Sequence, residues 1–198
     1  MIANLTVMCC SFLLGWYVMS KYFGLIIDKI IESYGNRGFI VGPWKTHLGI
    51  GRPSIKKIEK AAIARVGLGA NDSEETIYWN AFKDSDGNEL NSVNNYEISF
   101  KNEISIDYLN KGFWSISVYG NDTFFVPNEK KKYSIKTIVS GNLKPILLSK
   151  KNILKADQWL PLPKPDEKFS LTLRCYVPLL KMKNGQIEAA DLPNISRL

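Results

Sequence analysis

Apolar residues run almost unbroken from Ile2 to Ile27, IANLTVMCCSFLLGWYVMSKYFGLII, before the chain changes rhythm. No charge falls between Leu5 and Ser20; Lys21 interrupts, and a second apolar patch reaches Ile27. A helix crossing a bilayer needs roughly 20 mostly apolar residues, so residues 1–27 predict a transmembrane anchor or an uncleaved signal. Lys21 lies near one end, where its long stem can carry the ammonium to the interface. Trp16, Tyr17 and Tyr22 suit an interfacial belt. The rival is a cleaved signal peptide, but no Lys or Arg precedes Lys21 and no small-x-small site follows the apolar run. A lipoprotein site at Cys9 or Cys10 is poor, because Met8 precedes Cys9.

Residues 28–52 read as a linker, with glycines at 35, 38, 42, 49 and 51 and with Pro43. The stretch Ser54 to Val66, SIKKIEKAAIARV, then takes a helical period. Ile55, Ile58, Ala62 and Val66 share a stripe, Ser54 is the expected cap with Pro53 outside it, and Gly67-Leu68-Gly69 is the stop. From Thr76 the period becomes two. TIYWNAFK at 76–83, YEISFKN at 96–102, GFWSISVYG at 112–120, YSIKTIV at 133–139 and FSLTLRCYV at 169–177 all read as strands. Lys144 to Ser149 reads as an edge strand because of Pro145. WLPLPKP at 159–165 reads as an extended loop, and the tail from Ala189 as extended chain. About seven short strands between turns predict a mainly β, jelly-roll-like β-sandwich over residues 53–198, with one short preceding helix.

Composition narrows the function more than it names it. The 45% apolar and 12% aromatic content of the 198 residues supports a packed core. A net charge of +7 fits an anionic membrane surface as well as nucleic acid, and no basic strand interleaved with aromatics matches an RNA module. No nucleic-acid partner is expected. Three cysteines, Cys9, Cys10 and Cys175, make neither a disulfide framework nor a metal pair. The single histidine, His47, has no ligand or triad partner at useful spacing. No metal, cofactor or catalytic residue is expected.

Four local features bear on chemistry. Asp84-Ser-Asp86-Gly-Asn88 looks like a calcium loop, but its glycine falls at the fourth position where an EF-hand needs the sixth; a hairpin turn is the better reading. Lys130-Lys131-Lys132 and Lys150-Lys151 suit an anionic bilayer or simple solvation. In GFWSISVYG, Trp114, Ile116 and Val118 share the core face, while Phe113, Ser115, Ser117 and Tyr119 share the other. Neither serine sits in a G-x-S-x-G elbow, and neither has a base. In FSLTLRCYV, Ser170, Thr172, Arg174 and Tyr176 form the face opposite the core. A guanidinium one step from a phenol suits a carboxylate-bearing or ring-bearing ligand, and equally an internal salt bridge. The candidate ligand-binding set is Tyr119, Arg174 and Tyr176, with Trp159 of WLPLP covering that face.

Several fragments in order resemble one bacterial family, domain of unknown function 1214. They are GPW at 42–44, AAIARVGL at 61–68, YWNAFKDSDGNEL at 78–90, NYEISF at 95–100 and GFWSISVYG. Asn128, Tyr133-Ser134, WLPLP at 159–163, LRCYVP at 173–178 and LPNISR at 192–197 continue the series. With the N-terminal apolar segment, the chain is similar to short alphaproteobacterial members. The resemblance implies a jelly-roll-like sandwich and an envelope or exported setting, and carries no settled reaction. The four lysines and arginines after the helix, Lys21, Lys29, Arg37 and Lys45, point the soluble part toward the cytoplasm. The family's export pattern points it to the periplasm, anchored singly in the inner membrane. The expectation is a membrane-anchored module that binds a small ligand or an envelope partner protein. The alternative is an enzyme or enzyme subunit. It would act with a separate chain of the domain of unknown function 1254 type, which precedes this domain in larger relatives.

Overall fold

The computed structural model describes residues 2–36, 38–52, 54–66, 70–137, 139–141, 143–152 and 156–198. Two compact units emerge: residues 1–37 with 54–69, and residues 38–53 with 70–198. The first unit carries α1, Ile2–Asn36, and α2, Lys57–Val66. Within α1, residues Thr6–Ser33 are long and apolar enough to cross a membrane. Its large side chains stand exposed, among them Phe12 at 70% and Trp16 at 69%, which is what a helix surrounded by lipid requires. The Lys21 ammonium lies 5.7 Å from the ring centroids of both Tyr17 and Tyr22, so aromatic faces partly replace water around the charge.

α2 begins three residues later than the expected Ser54 cap. Glu59 accepts from the Lys56 N–H at 3.2 Å and satisfies a donor of the first turn. Pro53 and Gly67-Leu68-Gly69 lie outside the described residues, as do the side chains of Ala62 and Val66.

The second unit is mainly β, with two sheets sharing one core. Its strands are β1 Phe39–Val41, β2 Trp44–Thr46, β3 Thr76–Ala81, β4 Tyr96–Ser99 and β5 Phe113–Gly120. They continue with β6 Ser134–Thr137, β7 Ile146–Ser149, β8 Trp159–Pro161, β9 Phe169–Tyr176 and β10 Asn194–Arg197. A short helix, α3, Leu180–Lys183, follows β9. The six-stranded sheet has the order β1-β2-β3-β9-β5-β6, and the four-stranded sheet β10-β4-β7-β8. Trp44, Trp79, Trp114 and Leu173 from the first sheet meet Ile98, Leu148, Leu160 and Ile195 from the second in one buried cluster. The alternation read from GFWSISVYG and FSLTLRCYV is present, with Trp114, Ile116, Leu171, Leu173 and Cys175 all fully buried.

Three element readings are corrected. Residues 28–36 continue α1, and residues 39–46 form a hairpin rather than a linker. The Gly42-Pro43 pair turns it, with Gly42 at φ 55°, a backbone state that glycine adopts without steric cost. β7 is internal, not an edge, because Pro145 stands just before the first paired residue and removes no ladder bond. WLPLP is not a loop: Trp159–Pro161 pairs in parallel with β7 and forms the sheet edge, where a proline is tolerated.

The 84–88 turn is closed by its own first residue. Asp84 accepts from the backbone N–H of Asp86 at 3.1 Å and of Asn88 at 2.8 Å, and from the Asn88 side-chain amide. Gly87 supplies the φ of 88°. Ser85 and Ile195 then exchange bonds of 2.9 Å, tying the turn to β10.

Asp191, also buried, accepts from Lys181 Nζ at 2.6 Å and from the Glu188 N–H at 2.9 Å. Burial alone would raise its pKa. The Lys181 and Glu188 hydrogen bonds and the Lys181 charge outweigh that and hold the carboxyl below the usual carboxylate range. A carboxylate depressed in the folded state stabilises above its unfolded pKa and loses that contribution as pH falls through the folded value. Asp191→Asn is therefore expected to cost about 1–2 kcal/mol at neutral pH. Urea melts of the two proteins should converge as pH falls below the ordinary aspartate range and Asp191 takes up its proton; a gap that persists once it is protonated would refute the ionic origin.

Candidate functional site

The outward face of the six-stranded sheet is built in rows by strand register. One row runs Tyr78 (β3), Arg174 (β9), Ser115 (β5), Lys136 (β6). The next runs Lys45 (β2), Asn80, Thr172, Ser117, Ser134. Beyond the Arg174 row, Tyr176 faces Phe113, and beyond the Ser117 row, Ser170 faces Tyr119. None of these outward positions is Asp or Glu, whereas Lys45, Lys136 and Arg174 are cationic.

Arg174 is half-buried at the centre of this face. One terminal nitrogen donates to Ser117 Oγ at 3.1 Å, and the other donates to the Tyr119 hydroxyl. The guanidinium carbon lies 5.5 Å from the Tyr119 ring centroid. Among the described residues no carboxylate pairs with Arg174, so the rest of its donor fork is left over. Aromatic pairs flank it. Phe113 and Tyr176 stack with centroids 4.1 Å apart and planes at 13°. Tyr119 stacks on Phe125 at 4.8 Å, and Phe125 meets Tyr133 at 5.5 Å. Thr172 Oγ1 donates to Asn80 Oδ1 at 2.8 Å. Burial raises the pKa of Tyr176 against the lowering influence of Arg174, so its phenol is neutral at physiological pH.

The four expected ligand-binding residues separate. Arg174 and Tyr119 are in direct contact, and Tyr176 stands two residues along the same face. The partnership differs from the one read along β9, since Arg174 engages the phenol of β5 while Tyr176 stacks on Phe113. Trp159 lies in the other sheet, 5% exposed, where its indole donates to the Ser149 carbonyl and hydroxyl at 3.1 and 2.9 Å. Its ring carries the Lys130 ammonium 5.3 Å from the centroid. Ser117, set aside as a nucleophile for want of a base, is a side chain that steers Arg174. A cavity of about 170 Å³ opens past the end of β5, lined by Gly120, Lys168, Phe169 and Ser170 among others, and by none of these four. The Cys175 thiol points to the core, where burial raises its pKa and leaves it unreactive.

No group of His, Cys, Asp or Glu among the described residues is arranged to hold a metal ion. The His47 ring accepts from the Gly49 N–H at 3.4 Å in its own loop.

The fold has a solved counterpart. The VPA0106 protein from Vibrio parahaemolyticus superimposes with a TM-score of 0.56 at 21% sequence identity, covering 73% of this chain. This chain spans 36% of that one, and the likeness concerns the fold alone. No curated protein matches the sequence. A family model described as "Protein of unknown function (DUF1214)" matches residues 75–180, from the start of β3 through β9, which carry all of the face just described except Lys45. This chain belongs to that family.

Proposed function

We propose that the protein is a single-pass inner-membrane protein of the bacterial envelope. Its β unit stands on the periplasmic side and binds a ligand or a partner protein through the outward face of the six-stranded sheet. The observation that carries this reading is Arg174: a half-buried guanidinium held ready by Ser117 and Tyr119, with no carboxylate among the described residues to neutralise it. Leaving a positioned, partly desolvated charge without a counter-ion costs stability, and an incoming anion or polar partner recovers that cost. The apolar span Thr6–Ser33 supports the anchor. The alternative, an enzyme subunit using a phenol, is weakened by the raised pKa of Tyr176.

Hydroxyl-radical footprinting compares the protein in intact spheroplasts with the purified full chain in detergent. Tyr78, Tyr119 and Tyr176 are expected to be protected several-fold more in spheroplasts, while exposed Phe124 is labelled equally. Protease added outside the spheroplasts is expected to cleave the β unit. Equal tyrosine labelling in both preparations would sink the binding face, and protease resistance confined to intact spheroplasts would sink the periplasmic placement.

A further inference from the structure

The open face is selective in charge as well as shape. Its paired outward positions include three cations and no acid. Tyr119 accepts from Arg174 through its oxygen, which leaves its O–H group to donate, while Ser117, 1% exposed, fixes the guanidinium without reaching solvent. Asn80, whose carbonyl is taken by Thr172, has its amide N–H groups left as donors. Donors therefore outnumber acceptors around the guanidinium, which is the arrangement an oxyanion needs. The planar fork matches a carboxylate in bidentate geometry. The second feature is aromatic. The Phe113–Tyr176 stack begins one outward position from Arg174, about 7 Å along the strand, and the Tyr119–Phe125 stack borders the other side. The guanidinium leans along the strands toward Ser117 and Tyr119, so a ring attached to a carboxylate held there lies beside the Tyr119–Phe125 stack.

We infer that this face recognises an aromatic carboxylate, with Arg174 and Tyr119 taking the carboxylate and the flanking aromatic stacks taking the ring. The assignment rests on the proposal that this face is the binding surface. It names the ligand's chemistry: a delocalised anion on a flat apolar body, in preference to a bare phosphate or a neutral ring.

The probe is 4-fluorobenzoate, followed by ¹⁹F line broadening with the full chain in a non-ionic detergent. Saturable broadening is expected. Arg174→Gln is expected to weaken the affinity at least about tenfold, because a charge-assisted pair is lost. Arg174→Lys keeps the charge and loses the fork, and Tyr119→Phe removes one hydroxyl at nearly constant volume; each should weaken binding several-fold. These two variants carry the test if Arg174→Gln does not fold. The neutral isostere 4-fluorobenzamide should show no broadening that Arg174→Gln relieves. Fluorobenzoate binding that is absent, or unchanged in the Arg174 and Tyr119 variants, would overturn the inference. So would displacement by inorganic phosphate or 4-fluorobenzamide at equal concentration. Footprint protection in spheroplasts without fluorobenzoate binding would strike out the carboxylate and leave the binding face standing. The opposite pair of results would strike out the envelope partner and leave the site.

Discussion

Trp44→Ala is expected to lower the unfolding free energy by about 4 kcal/mol, a large share of what a domain of this size possesses. Trp44 is completely buried, and β2 carries it against Ala81 of β3. Its indole N–H donates to the Pro193 carbonyl at 2.7 Å, so one side chain joins the six-stranded sheet to the segment that leads into β10. Alanine removes the ring, opens a cavity and leaves a buried carbonyl without its donor. Trp44→Phe separates the two effects: it keeps most of the packing and should cost about 1–2 kcal/mol. Denaturant melts of the three proteins check this. Near-equal stability of the alanine variant and the wild type would mean that the hairpin is not part of the cooperative unit.

Asp84→Ala should cost about 3 kcal/mol. The carboxylate is completely shielded from solvent, and Arg197 stands 3.7 Å from it. It accepts from two backbone N–H groups and from the Asn88 amide. Removing it takes the acceptor from those donors and releases the turn that holds β10 through Ser85 and Ile195. Asp84→Asn retains one acceptor oxygen and should lose about half as much. Because the carboxylate is already satisfied from within, millimolar calcium should leave the melting temperature unchanged. A calcium-dependent rise abolished by Asp84→Asn would overturn the structural account of this turn.

The faces of the strands were readable from sequence, while their neighbours were not. Alternation in FSLTLRCYV places Arg174 opposite the core because a strand has a period of two. Nothing local says that β9 lies between β3 and β5, so the Arg174–Tyr119 contact across 55 residues is invisible to it. Reading along one strand pairs Arg174 with Tyr176 instead, the nearer phenol in sequence. Trp159 misled for a related reason. Two prolines in WLPLP suppress strand propensity, yet an edge strand pairing on one side can carry a proline at its end. The hairpin at 39–46 was hidden by the glycines around it, at 35, 38, 49 and 51, although Gly42-Pro43 between apolar residues is a turn signal. In each case tertiary pairing overrode a local preference.

The strand order also dictates when this molecule can fold. β3 finds its second neighbour only in β9, and β9 is also what connects β3 to β5. Until residues 169–176 have emerged from the ribosome, the hairpin and β3 face an empty ladder. Trp44 waits longer still, for Pro193. Such long-range closure makes assembly slow and late. Through most of its synthesis, the polypeptide behind the apolar helix is unable to close its larger sheet. A chain in that condition can thread a narrow channel without first having to be unfolded, and it is open to proteases and to aggregation until residues 169–176 arrive.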